Sequence, residues 1–308
     1  MKAAKKIFQK SNSIKLTSKS KRYLFSFRRR GFPILSSLII LAFIFLAFFG
    51  GSLAPYSSDK TSLSIKLTPP FWETGGSIAH PLGTDDLGRD ILSRLMVGSR
   101  ISFIVAMLTL ILGGLGGTIL GIISGYSGGK IDMALMRAAD STLAFPVILI
   151  AMFLAIILGP SLQNVVIALS IVIWARFARV IRGEVLSLKE RDFIAAAKVA
   201  GASSSRIMFS HIFPNVLSTL TVLLTLQVGW VILVEASLSF LGAGIPAPTP
   251  AWGSMVAKGR DYITIAWWIP FFPGVAIALV CLSFNMMGDW LREALDPKLR
   301  EAVRGGGL

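Results

Sequence analysis

Five long, nearly uncharged blocks alternate along this chain with short stretches that hold most of its charge. They run from Phe32 to about Leu53, Ile101 to about Gly125, Ser141 to Ala175, Val216 to Leu241 and Ile263 to Gly288. A spanning helix takes roughly 20 apolar residues, so four of the blocks each predict one crossing of a bilayer. The third is too long for one crossing and carries Gly159-Pro160-Ser161 in its middle, a combination that ends helices and makes turns. Split there, it gives two short helices, Ser141 to Leu158 and Gln163 to about Ile181. The pattern predicts an all-α polytopic membrane protein with six transmembrane helices.

Charge tests this count independently. Of 308 residues, 54% are hydrophobic, yet the formal net charge is +15. Cytoplasmic loops collect Lys and Arg. Six spans with both termini cytoplasmic put 24 of the 31 basic residues on the inner side and 7 outside, whereas five spans divide them 15 to 16. The expected organisation is a basic cytoplasmic tail (1–31), a first transmembrane helix (32–53) and an external loop with a short amphipathic helix (54–100). A five-helix transmembrane domain (101–289) with a cytoplasmic loop (184–214) and a cytoplasmic tail (290–308) complete it. Nucleic-acid binding is disfavoured, because the bases cluster at span ends rather than in a stripe with interleaved aromatics. The single cysteine, Cys281, can form no intrachain disulfide and supplies no cysteine-based zinc site. Met1 to Arg30 is long, polar and basic, and the apolar run after it exceeds a signal h-region, so it is read as preceding an anchor.

Between the third and fourth blocks lies Glu184 to Pro214, a basic segment rich in Ala and Ser. Ala195-Ala196-Ala197 continues a helix, Gly201 interrupts it, and Ser203 to Phe213 restarts a second helix before Pro214 opens the next span. This predicts a two-helix foot in the aqueous phase. Small side chains at Ala196, Ala197, Ala200 and Gly201 would let another protein approach the backbone, which suits docking rather than chemistry. In the second span Gly113, Gly117, Gly121 and Gly125 recur every fourth residue, a smooth stripe suited to close helix packing. Trp252, Trp267 and Trp268 cluster near one water boundary and are expected to be interfacial anchors.

Few residues suggest chemistry. Gly125 to Ile131 approaches a phosphate-binding loop but has Ser124 where a glycine is required and Ile131 where a Ser or Thr should hold magnesium. Any ATP used must be hydrolysed by another subunit. Glu235, an ionisable residue inside a span, lies about 9 Å from the span end at helical rise, and a structural hydrogen bond is favoured over a place on a pathway. Thr84 is expected to cap a short outer helix bearing Asp85 and Asp86. His80 with Asp85, Asp86 and Asp90 makes a weak metal set. His211 is read as a surface residue of the foot. No nucleophile, base or metal constellation supports an enzyme.

The stretch DFIAAAKVAGASSSRIMFSHIFPN, Asp192 to Asn215, resembles the cytoplasmic EAA loop of ATP-binding cassette importer permeases. Ala196, Ala197, Gly201 and Pro214 match its pattern, while Ala195 replaces the Glu, and His211 and Phe213 replace an Ile and a Leu. HPLGTDDLGRDILSRLMVGSRIS from His80, GYSGGKIDMALMRAADSTLAFP, SFLGAGIPAPTPAWGSM and FNMMGDWLREALDPKL are similar to the dipeptide, oligopeptide and nickel branch of these permeases. The resemblance implies the type I importer transmembrane fold in a bacterial plasma membrane and half of a pathway for di- or short peptides. It further implies a homologous second permease, two cytoplasmic ATPase subunits that hold ATP and Mg, an external solute-binding protein, and no cofactor on this chain. It points to Ala195, Ala196, Ala197, Gly201, Ala202, Ser203, His211 and Pro214 as the ATPase-coupling residues. A nickel, oligopeptide or antimicrobial-peptide permease, or an ion-coupled carrier of another class, are the competing readings.

Overall fold

The computed structural model describes residues 32–295; the expected tails at 1–31 and 296–308 lie outside them. Nine helices organise the described residues: α1 (Ile34–Leu53), α2 (Ile91–Ser127), α3 (Gly129–Ala144), α4 (Val147–Leu158), α5 (Leu162–Lys189), α6 (Asp192–Val199), α7 (Ser204–Phe240), α8 (Trp252–Gly259) and α9 (Trp268–Leu295). Helices satisfy every backbone group internally, as hydrocarbon requires. Five of them, α1, α2, α5, α7 and α9, are long and apolar enough to cross a membrane, and the bent pair α3–α4 brings the count to six if it crosses as one broken span.

The third crossing differs from its expected form. Instead of one helix from Ser141 to Leu158, α3 and α4 meet at 94° around Phe145-Pro146. Proline removes an amide donor and drives the residue before it out of the helical region, and Phe145 is extended, with φ −98° and ψ 150°. At Gly159-Pro160-Ser161 the expected break stands: Gly159 has φ +85°, and the Ser161 hydroxyl accepts from the Asn164 amide at 3.1 Å to start α5.

Two long helices also extend past their expected starts. The polar run before Ile101 is no separate amphipathic helix in a loop, since α2 is continuous from Ile91 and, at about 1.5 Å per residue, its 37 residues reach about 55 Å. Thr84 does not cap it. Asp90 does, accepting from the Ser93 amide at 2.7 Å and the Ser93 hydroxyl at 2.6 Å. Polar residues can occupy this start because the preceding loop buries them: Arg89 pairs with Asp85 at 2.6 Å, and Arg94 donates to the Ser58 carbonyl at 2.7 Å. His80 lies 3.0 Å from Asp90, and among the described residues no group of three metal-ligating side chains forms.

The tryptophans act as bolts rather than lipid anchors. Trp252 and Trp268 are buried, and their indole N–H groups donate to the carbonyls of Leu95 (3.0 Å) and Thr84 (3.1 Å), while half-buried Trp267 donates to Glu73 at 2.8 Å. A buried indole needs such a partner, and each tie here fastens this end of the bundle to the loop before α2 or to α2 itself. Packing of α1 on α2 and α9 uses Ser36, Ile40, Phe43, Ala47 and Gly50, a narrow seam whose 4-3-4-3 spacing keeps one helical face inward. Leu35, Leu38, Leu41, Phe45 and Phe48 remain exposed around it.

Candidate functional site: the elbow and its supports

The glycine stripe of α2 faces α5. A Cβ at Gly113 would overlap Ile173, and one at Gly117 would overlap the Trp174 carbonyl oxygen. At Gly121 it would stand 2.6 Å from the Ala178 carbonyl, and at Gly125 2.8 Å from Val185. All four glycines therefore let two backbones meet, the arrangement that gives van der Waals contact where lipid offers no hydrophobic drive between helices.

Beyond this contact α5 continues to Lys189 and the chain turns into the elbow. Helix α6 ends in a Schellman motif: Gly201, with φ +76°, donates to the Lys198 carbonyl at 3.0 Å, and the Ala202 amide donates to the Ala197 carbonyl at 3.0 Å. Ser203 then caps α7, its hydroxyl accepting from the Arg206 amide at 3.4 Å. Ile194, Ile207 and Ile212 are fully buried where the elbow folds against the bundle. Its outer surface holds Ala195, Ala196, Ala200 and Gly201, together with Val199, 91% exposed, and Phe209, 68% exposed. Ala197 and Ala202, expected at or near this surface, are half-buried and pack against the core, and His211 is half-buried.

The second foot helix does not stop at Pro214. It passes into the span through a π-helical turn, Ile207–Ile212, and Pro214 falls in the first turn of the α-helical register that follows, where an amide donor is dispensable. One rigid helix, α7, thus connects the exposed elbow to the membrane interior.

Supports absent from the sequence reading brace the elbow's legs. Asp132 on α3 accepts two bonds from Arg182 on α5, at 2.5 and 2.6 Å, and takes a further 2.5 Å bond from Ser124 on α2. Asp140 pairs with Arg179 one turn along α5, Lys189 lies 5.9 Å over the Tyr126 ring, and Thr219 on α7 donates to Glu184 on α5 at 3.1 Å. The bases at 176, 179 and 182 share a face by spacing, a signal present in the sequence; the acids that Arg179 and Arg182 meet are some forty to fifty residues away, while Arg176 reaches Gln227 at 3.4 Å. Bidentate Arg–carboxylate pairs resist displacement better than single contacts. Asp132→Ala is expected to cost about 1 kcal/mol of stability and to weaken coupling several-fold, with Asp132→Arg/Arg182→Asp recovering part of both. Thermal unfolding in detergent beside uptake in vesicles measures this; equal values for all three proteins would dismiss the brace.

Glu235 sits on α7, 1% exposed, with Oε1 accepting from Ser239 at 2.8 Å and Oε2 without a partner among the described residues. One residue on, Ala236 lies so close to α8 that a Cβ at Gly253 would clash with its backbone. The carboxyl group is closed inside this chain, away from any open surface.

Residues 117–301 match the family of the binding-protein-dependent transport system inner membrane component, and residues 19–70 match the N-terminal transmembrane domain of oligopeptide transport permease C. The chain belongs to this permease family. Curated relatives span almost the same length. The di/tripeptide transport system permease protein DppC of Pseudomonas aeruginosa is 42% identical over 266 residues, 86% of this chain and 88% of that protein. The dipeptide transport system permease proteins DppC of Alkalihalophilus pseudofirmus and Escherichia coli are 45% and 44% identical, each alignment covering 89% of this chain and 88% and 92% of theirs. This permease is a multi-pass plasma-membrane subunit of an ATP-binding cassette importer with the type I transmembrane fold, and its own task is transport rather than catalysis.

Proposed function

We infer that this permease forms half of the pathway for di- or short peptides and converts the movement of cytoplasmic ATPases into alternating access. The observation that carries this reading is the elbow itself, a small-residue and apolar surface held on two legs that run unbroken into the bundle. Lipid has no use for such a surface. An ATPase subunit binding ATP and Mg would grip Val199, Phe209 and the exposed alanines. Closure of two such subunits would draw the elbows of this chain and a homologous second permease together, and rigid α5 and α7 would carry that displacement to the cavity between the permeases. An external binding protein would supply substrate and direction. The peptide substrate rests on the names of the relatives, and the coupling on the geometry of the elbow.

The reading requires the elbow on the cytoplasmic side. A cysteine introduced at exposed Ser204, in a Cys281→Ser background, is expected to react with a membrane-impermeant maleimide in inside-out vesicles and not in intact cells. Labelling from the exterior alone would overturn the orientation and with it the coupling. The function itself is tested in vesicles holding both permeases, the ATPases and the binding protein. Dipeptide should accumulate only with ATP, and the binding protein loaded with dipeptide should stimulate hydrolysis.

A further inference from the structure

A cavity of about 500 Å³ opens between α5, α7 and α9. Its position is telling. Glu184 comes from the last turns of α5, Asn215, Ser218 and Thr219 from the start of the α7 span, and Arg292 from the last turn of α9. The first two helices are the legs of the elbow, so the cavity lies in the fork directly above the handle.

Its chemistry is bipolar. Among the described residues, half-buried Glu184 accepts only the Thr219 hydroxyl, at 3.1 Å, and exposed Arg292 makes no ion pair. An acid and a base thus line one cavity without neutralising each other, with aliphatic Val222 and Leu226 contributing to the same wall. Elsewhere in this bundle facing acids and bases do close into pairs, as Asp132 and Arg182 do. The volume lies within the roughly 300–1,000 Å³ of small-ligand clefts. A molecule fits best if it carries a cation at one end, an anion at the other and a short, partly apolar body between.

We propose that this cavity is a release-side station for a short peptide with free termini, the ammonium held toward Glu184 and the carboxylate toward Arg292. The assignment rests on the peptide-importing reading above and adds the feature recognised, the paired terminal charges. Solvent reaches Arg292, so its contact is weak, as a site that must let its ligand go requires. Because the walls are the elbow's legs and the Glu184–Thr219 bond ties one leg to the other, drawing the elbows together alters the cavity directly.

The test uses the complete importer in lipid nanodiscs without its external binding protein, so that external selectivity plays no part. A photoreactive dipeptide, benzoylphenylalanyl-alanine, is crosslinked and its attachment mapped by mass spectrometry. Labelling is expected on Asn215 to Leu226, and alanyl-alanine should suppress it at about one tenth the concentration needed of its N-acetylated, C-amidated form. This comparison needs no variant. Glu184→Gln and Arg292→Gln should each remove most of that preference, and Glu184→Arg combined with Arg292→Glu should restore part of it. Absence of label from the cavity, equal competition by free and capped peptide, or disulfide capture of Ser218→Cys by the second permease would each overturn the station. Uptake by the same preparation in vesicles, with binding protein and ATP, separates the two failures. If no peptide accumulates, the peptide-importing reading falls; if it accumulates while the cavity ignores the termini, only the station does.

Discussion

Replacing Gly201 by glutamate should bring ATP-driven uptake to background while the chain remains inserted and the bundle folded. The backbone at Gly201 has φ +76°, and no heavy atom lies within 4 Å of the position a Cβ would take. A side chain there collides with nothing in this chain. The strain of an L residue in the left-handed region, about 1–2 kcal/mol, falls on the exposed α6 end and leaves the packed spans untouched. The carboxylate instead projects from the surface that an ATPase would grip, between exposed Ala200 and Val199 on one side and the α7 cap on the other. Gly201→Asn supplies the control, because asparagine tolerates this conformation and carries no charge. It should retain most of the uptake. The measurements are dipeptide-stimulated ATP hydrolysis and uptake in reconstituted complex, beside the amount of chain recovered from membranes. Wild-type coupling in the glutamate variant would remove the elbow from the mechanism.

Gly117→Val should severely damage the bundle. The added Cβ would overlap the Trp174 carbonyl and lie 3.0 Å from Phe177 Cβ and 2.9 Å from Trp174 Cα. Backbone cannot rotate aside as a flexible side chain can, so α2 and α5 must separate along a contact that Gly113, Gly121 and Gly125 keep close. A loss of about 3 kcal/mol or more is expected, at the upper end of overpacking costs. The neighbouring Gly116 has nothing within 4 Å of its Cβ position, and Gly116→Ala is expected to be neutral or to gain up to about 1 kcal/mol from helix propensity. Thermal unfolding of the two variants in the same detergent makes the comparison. Similar melting temperatures would show that the stripe does not hold α2 against α5.

The spans could be read from the chain because a bilayer imposes a local rule. Apolar length and the break at Gly159-Pro160 mark crossings without knowledge of what packs against what. Even the turn at Gly201 and the restart of a helix at Ser203 were legible, since each depends on residues within a few positions. The misread boundaries have separate causes. Ser93, Arg94 and Ser99 fell in an expected external segment with its own short amphipathic helix, yet they are buried inside α2 by the preceding segment and its ion pairs. Pro214 looked like a helix start, yet a π-helical turn beneath it lets α7 run through. Pro146 lay inside a run apolar enough to hide a 94° bend.

By composition, charge asymmetry and short-range turn chemistry alone, the chain determined its membrane class, its crossings, its small-residue stripe and the elbow's outline. Tertiary structure alone decided that Asp132 meets Arg182, that Trp252 and Trp268 point inward to distant carbonyls, and that Glu184 and Arg292 share a cavity without pairing. The physical reason is distance along the chain. A span or a cap is set by neighbours within one or two helical turns, whereas a side chain's partner depends on the rotation and depth of helices joined through dozens of intervening residues.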